Sequence, residues 1–138
     1  DLQGLIVDYS GVLDMDPEDQ RRWQKLIKEV QAKEVVTAIL SNEQADGQDA
    51  DKIREWEFRG DVNAVVLSGE VGHEKPEREA FQAAADAIAV PLNECVMIDD
   101  DIMNVRAAVE YGMIGILHTA FERTAVEIQS LFDIEGEF

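Results

Sequence analysis

Cysteine is all but missing from this chain. Cys95 stands alone, so no disulfide can close within it, and nothing points to an oxidising compartment. Cys95 opens an apolar run, which suits a small buried hydrophobe better than a reactive thiol. Long apolar runs are missing too, and none approaches the ~18 residues of a membrane span. The opening DLQGLIVDYSG carries neither a basic leader nor a small-residue cleavage site, so we expect a strand there and a cytoplasmic protein. Positive charge is scarce: 12 lysines and arginines stand against 30 aspartates and glutamates, for a net charge of −18. Such a surface serves solubility, and with no offsetting basic cluster it repels nucleic acids and anionic membranes. It would equally repel a phosphorylated substrate unless the site supplied its own positive charge, from a divalent metal and one or two well-placed cations.

What is present is ordinary for a globular protein, with 46% hydrophobic residues. The length suits one domain spanning residues 1–138, which buries roughly two-thirds of its unfolded surface without staples. No repeat, low-complexity tract or linker divides it. Short apolar runs rich in Val and Ile alternate with helical patterns throughout. Leu5–Val7, Val35–Leu40, Ala64–Leu67, Val96–Ile98 and Met113–Leu117 have the lengths and flanks of strands buried on both faces. Between them, residues 17–33 set Trp23, Leu26, Ile27 and Val30 on one helical face, with Pro17 at its start. Residues 49–58 carry Ile53 and Trp56, residues 77–88 carry Phe81, Ala84, Ala85 and Ile88, and residues 102–111 are stopped by Gly112. Residues 124–132 close the chain, and residues 42–51 form a polar loop. This alternation predicts an α/β fold, a three-layer α/β/α sandwich on a Rossmann-like five-stranded parallel sheet. Ligands of such sheets bind beyond the carboxyl ends of the strands, where strand order reverses.

Four segments end at that edge. In IVDYSGVLD (residues 6–14), an apolar strand runs into Asp8 and a turn containing Gly11. In VVTAILSNE (35–43), Ser41 and Asn42 can donate hydrogen bonds to an anion or simply begin a turn. In SGEVGHEKPEREAF (68–81), Pro76 tends to hold Lys75 extended before a helix, and His73 lies two residues away. Lys75 and His73 are otherwise ordinary surface residues. In VMIDDDIMNVRAAVEYGM (96–113), Asp99, Asp100 and Asp101 would repel one another without a compensating cation. Hard oxygen ligands at a rigid strand end suit Mg²⁺. A helix dipole explains one or two acids there, but three poorly.

In this order and spacing the four segments resemble the haloacid dehalogenase-like hydrolases over nearly the whole chain, with SGEVGHEKP and IDDDIMNVRAAVEYGM closest to the pattern. The resemblance implies that Asp8 is a nucleophile forming an aspartyl intermediate. It implies a Mg²⁺ held by Asp8, the carbonyl of Ser10 and Asp100, with Asp99 and Asp101 binding metal waters or orienting ligands. Asn104 falls where the family often has a supporting carboxylate or amide. Ser41 and the N–H of Asn42 would hold a phosphoryl oxygen, and Lys75 would offset the charge on Asp8 and the phosphoryl group.

Ser10 departs from the pattern. Phosphatases of this family usually carry a second aspartate there as general acid and base, a loss that commonly costs ~10²–10⁴-fold in rate. Asp14, Asp16 and His73 are the candidates to replace it. Three readings stay open: an attenuated or selective phosphatase, a dehalogenase-like hydrolase on the same Asp8 (Tyr9 lies one position from the tyrosine such enzymes use), or a module that binds phosphate or protein without turnover. About 30 residues separate Asp8 from Ser41 and Ser41 from Lys75, which one helix and one strand consume, so no lid domain is expected. An open site suits a phosphorylated macromolecule, while a small phosphorylated molecule also fits.

Overall fold

The computed structural model describes residues 1–138. Five strands, β1 Gly4–Val7, β2 Val36–Ser41, β3 Ala64–Leu67, β4 Cys95–Asp99 and β5 Ile114–Leu117, alternate with six helices. The helices are α1 Pro17–Ala32, α2 Ala50–Phe58, α3 Ser68–Val71, α4 Arg78–Ile88, α5 Ile102–Glu110 and α6 Phe121–Phe132. The strands form one sheet in the order β3-β2-β1-β4-β5, every neighbouring pair parallel. The predicted α/β architecture is therefore the one observed, and no crossover carries an inserted lid.

Successive side chains on a strand point to opposite faces, so a central strand coated on both sides must be apolar throughout. β1 shows this directly. Leu5 and Val7 pack on one side with Trp23, Leu26 and Ile27 of α1 and Ile128 of α6. Ile6 packs on the other with Phe81, Ala84 and Ala85 of α4. β5 departs from the expectation, because Ile114 and Leu117 are partly exposed. As an edge strand it has a neighbour on one side only, and the helices do not cover its far flank.

Local signals account for most helix ends. Asp16 caps α1, its carboxylate accepting from the Asp19 N–H at 2.8 Å, and Pro17 takes the first turn, where no N–H is needed. Gly112, at φ +99°, follows α5 in a conformation that a β-carbon resists. α6 begins three residues before the predicted start, since Phe121 packs edge-on against Trp23 at 5.2 Å. The four-residue α3 has no apolar period to announce it. Cys95 is fully buried, and burial pushes its thiol up to about 11, in keeping with a packing role.

Chain order reverses between β1 and β4: from β1 the sheet grows through β2 to β3 on one side, then through β4 to β5 on the other. The crevice beyond the carboxyl ends of these two central strands is the binding position of this architecture.

Candidate active site

Asp8 follows the last residue of β1, and its N–H donates to the Ile98 carbonyl at 2.8 Å, pinning it to the end of β4. Asp99 ends β4 and Ser41 ends β2, both buried. Lys75 arrives from the far side of the crevice, on the loop between α3 and α4. Its backbone is clamped there by Asn42, whose Oδ1 accepts from the Lys75 N–H at 2.9 Å while its Nδ2 donates to the Lys75 carbonyl at 3.0 Å. The Asn42 side chain therefore places the lysine, leaving only its backbone N–H for an anion.

The Lys75 ammonium is 4% exposed as a residue and directs its three N–H groups to Asp8 Oδ1 at 2.9 Å, Asp99 Oδ2 at 2.8 Å and the Leu40 carbonyl at 2.9 Å. Asp8 Oδ1 also accepts from the Tyr9 N–H. Both oxygens of Asp99 are engaged: Oδ1 accepts from the Asp101 N–H at 2.9 Å, and Oδ2 from Asn104 Nδ2 at 3.2 Å as well as from Lys75. A buried ion pair survives only when its remaining valences are met, and here they largely are.

Carboxylate oxygens of Asp8, Asp99 and Asp100 lie within 4.8 Å of one another. One ammonium faces three carboxylates, an excess of two negative charges in a crevice where two of the three acids are buried. The titration of Asp8 reflects this. Its pKa is raised to about 7: burial is the largest cause, Lys75 opposes it, and Asp99 and then Asp100 add to it. A hard divalent cation such as Mg²⁺ matches both the oxygen donors and the missing charge. The free oxygen of Asp8 and the carboxylate of Asp100 could hold such an ion, whereas Asp99 is occupied with Lys75, Asn104 and the Asp101 backbone.

Gly11 brings the loop after β1 against this cluster. Its φ is +80°, which favours glycine, and a β-carbon there would displace the Asp100 carboxylate from its observed position. Ser10 sits exposed in the same turn. Asp101 faces elsewhere: its Oδ1 caps α5 by accepting from the Met103 N–H at 2.8 Å, and it stands outside the three-acid group. The candidate replacement acids are likewise engaged away from Asp8. Asp14 accepts from the Gly11 N–H at 2.8 Å, Asp16 caps α1, and the nearest carboxylate to His73 is Glu77, 3.7 Å away.

One neighbour carries no sequence signal beyond its place after the last apolar run. His118 is buried, with its backbone N–H donating to the Asp99 carbonyl at 2.8 Å, its Nδ1 2.7 Å from Thr124 Oγ1 and its ring against Trp23. Burial lowers its pKa, and Asp100 is the strongest charge opposing that shift.

The profile of haloacid dehalogenase-like hydrolases matches residues 20–112, which take in Ser41, Lys75 and the aspartate triplet; Asp8 lies upstream of the matched stretch. A sesquiterpene phosphatase of Aspergillus oryzae is 27% identical over 111 residues, 80% of this chain, and the chain spans only 56% of that relative's length. An uncharacterised protein of Corynebacterium glutamicum is 54% identical, with full coverage of both chains and a TM-score of 0.95. A fold relative from Bacteroides thetaiotaomicron, a HAD family enzyme solved in complex with magnesium and inorganic phosphate, is 16% identical, covering 87% of this chain and 96% of its own, at a TM-score of 0.65. With two-thirds of its length inside the profile, the chain belongs to the haloacid dehalogenase-like hydrolases.

Proposed function

We propose that the protein is a Mg²⁺-dependent phosphomonoester hydrolase with an attenuated acid–base step, acting through Asp8. The observation that carries this reading is the buried Asp8–Lys75–Asp99 arrangement with Asp100 beside it and two negative charges in excess. The Asp8 carboxylate attacks phosphorus, the new O–P bond forming as the ester P–O bond breaks, and water then cleaves the aspartyl phosphate to restore Asp8. Asp8 must be ionised to attack, and Lys75, hydrogen-bonded to it, favours that form. Mg²⁺ on Asp8, Asp100 and the Ser10 carbonyl would neutralise the phosphoryl oxygens. Ser41 and the Asn42 N–H would hold one of those oxygens. Asp99 and Asn104 keep Lys75 and the β4 end in place, and Asp101 fixes the start of α5.

Ser10 cannot protonate a leaving alcohol near neutral pH, and no other acid bonds to Asp8, so esters of acidic alcohols should be favoured. That same absence favours one other reading, a domain that binds phosphate or a phosphorylated partner without turnover. Residues 1–138 are taken as one folding unit with cytoplasmic residence, acting on a small phosphorylated molecule or on a phosphorylated macromolecule. No helix is long and apolar enough to cross a membrane.

The test is p-nitrophenyl phosphate turnover with Mg²⁺ in the natural protein, Asp8→Asn and Ser10→Asp. Activity lost in the first variant and raised in the second, by ~10²-fold or more, supports the handicapped enzyme. Silence in all three proteins with retained phosphate binding selects the binding module.

A further inference from the structure

The surface around the crevice carries large apolar side chains where solvent-facing polar ones would be expected. Met15 follows the turn that presses Gly11 against Asp100, and Ile102 and Met103 occupy the first turn of α5, directly after the aspartate triplet. Leu117, at the end of β5, is the register partner of Asp99. All four are about half in water. Single exposed apolar residues need no explanation, and Phe58, Val109 and Val126 are scattered on the flanks of other elements. These four instead share the edge that holds Asp8, Asp99 and Asp100.

The acids interleaved among them are exposed and charged, each with one oxygen held by a backbone N–H. Asp14 accepts from the Gly11 N–H, Asp16 from the Asp19 N–H and Asp101 from the Met103 N–H, which fixes where each charge stands. Their charge, with the −18 of the chain, still repels any leaving group that carries further anions. A ligand held at the carboxylate centre by its phosphoryl group therefore meets, beyond it, a surface that disfavours anions and gains by covering hydrocarbon.

We propose that Met15, Ile102, Met103 and Leu117 form a specificity rim that binds the hydrocarbon body of a phosphomonoester, so that the substrate class is the phosphate of an apolar alcohol. The inference rests on the phosphatase reading above and goes beyond it in naming what lies past the ester oxygen. Nucleotides and phosphopeptides, with charged or strongly hydrated leaving groups, fit this rim poorly.

The experiment uses phenyl phosphate and its 4-ethyl, 4-butyl and 4-hexyl derivatives, because the alkyl chain leaves the acidity of the departing phenol almost constant. A methylene fully removed from water is worth roughly fourfold in binding, and a rim covering about a quarter of the chain's surface should give about tenfold in kcat/KM from phenyl to 4-hexylphenyl. In the double variant Ile102→Asn, Met103→Gln the ratio of the two kcat/KM values should fall to about twofold or less. Equal kcat/KM across the series, or a gradient that the double variant leaves intact, overturns the rim while the phosphatase reading stands. Absence of turnover on every ester, p-nitrophenyl phosphate included, removes both.

Discussion

Replacing Asp8 by asparagine takes one negative charge out of a crevice that holds too many, with almost no change of shape. In the folded chain the Asp8 pKa rises from 3.8 to about 7, first through burial and then through Asp99 and Asp100. Three units at about 1.4 kcal/mol each put the cost of ionising Asp8 in the metal-free fold at about 4 kcal/mol. An aspartate that holds its proton more tightly when folded gives stability that is full below about pH 4 and lost as pH climbs through about 7. Asparagine never ionises and can still accept from Lys75. In EDTA at pH 8, Asp8→Asn should therefore be more stable than the natural protein by about 2 kcal/mol, half the ceiling, or roughly 6–8 °C in Tm. Calorimetry across pH should show the two curves converging near pH 4. Millimolar Mg²⁺ should raise the natural protein's Tm and narrow the gap, because the ion binds the carboxylate that the variant lacks. A variant less stable than the natural protein in EDTA at pH 8 would refute the claim of uncompensated charge, and an unmoved Tm with Mg²⁺ would refute the metal site.

Two further substitutions separate the parts of the crevice. Lys75→Met leaves Asp8 and Asp99 buried without their cation, and urea unfolding at neutral pH should show a loss of about 3–5 kcal/mol; the loss should shrink near pH 4, where protonation removes the repulsion. Asp101→Ala removes the α5 cap and should cost about 1 kcal/mol in the same assay, while Mg²⁺ affinity by calorimetric titration changes less than about threefold. A tenfold loss of affinity would place Asp101 on the metal.

The alternation of elements, the parallel sheet and the positions that reach its carboxyl edge are legible in the order of residues alone. That information is local: a strand coated on both faces must be apolar at every position, as at Leu5, Ile6 and Val7, and a helix on one face must repeat Trp23, Leu26, Ile27 and Val30. Asp8, Ser41, Lys75 and the aspartate triplet stood out because each ended an apolar run or preceded a helix, and their spacing resembled one family. What each polar side chain faces is fixed by contacts across the fold. Asp99, Asp100 and Asp101 are consecutive, yet the chain turns from strand to helix between them, so one holds Lys75, one faces Gly11 and one caps α5. Asn42 clamps the Lys75 backbone, and His118 is buried beside Asp99, through contacts between residues far apart in the chain. β5 became a half-exposed edge because strand order is a property of the whole sheet. Periodicity records which way a side chain points from its own backbone, and the group it meets there is set by the folding of the rest of the chain.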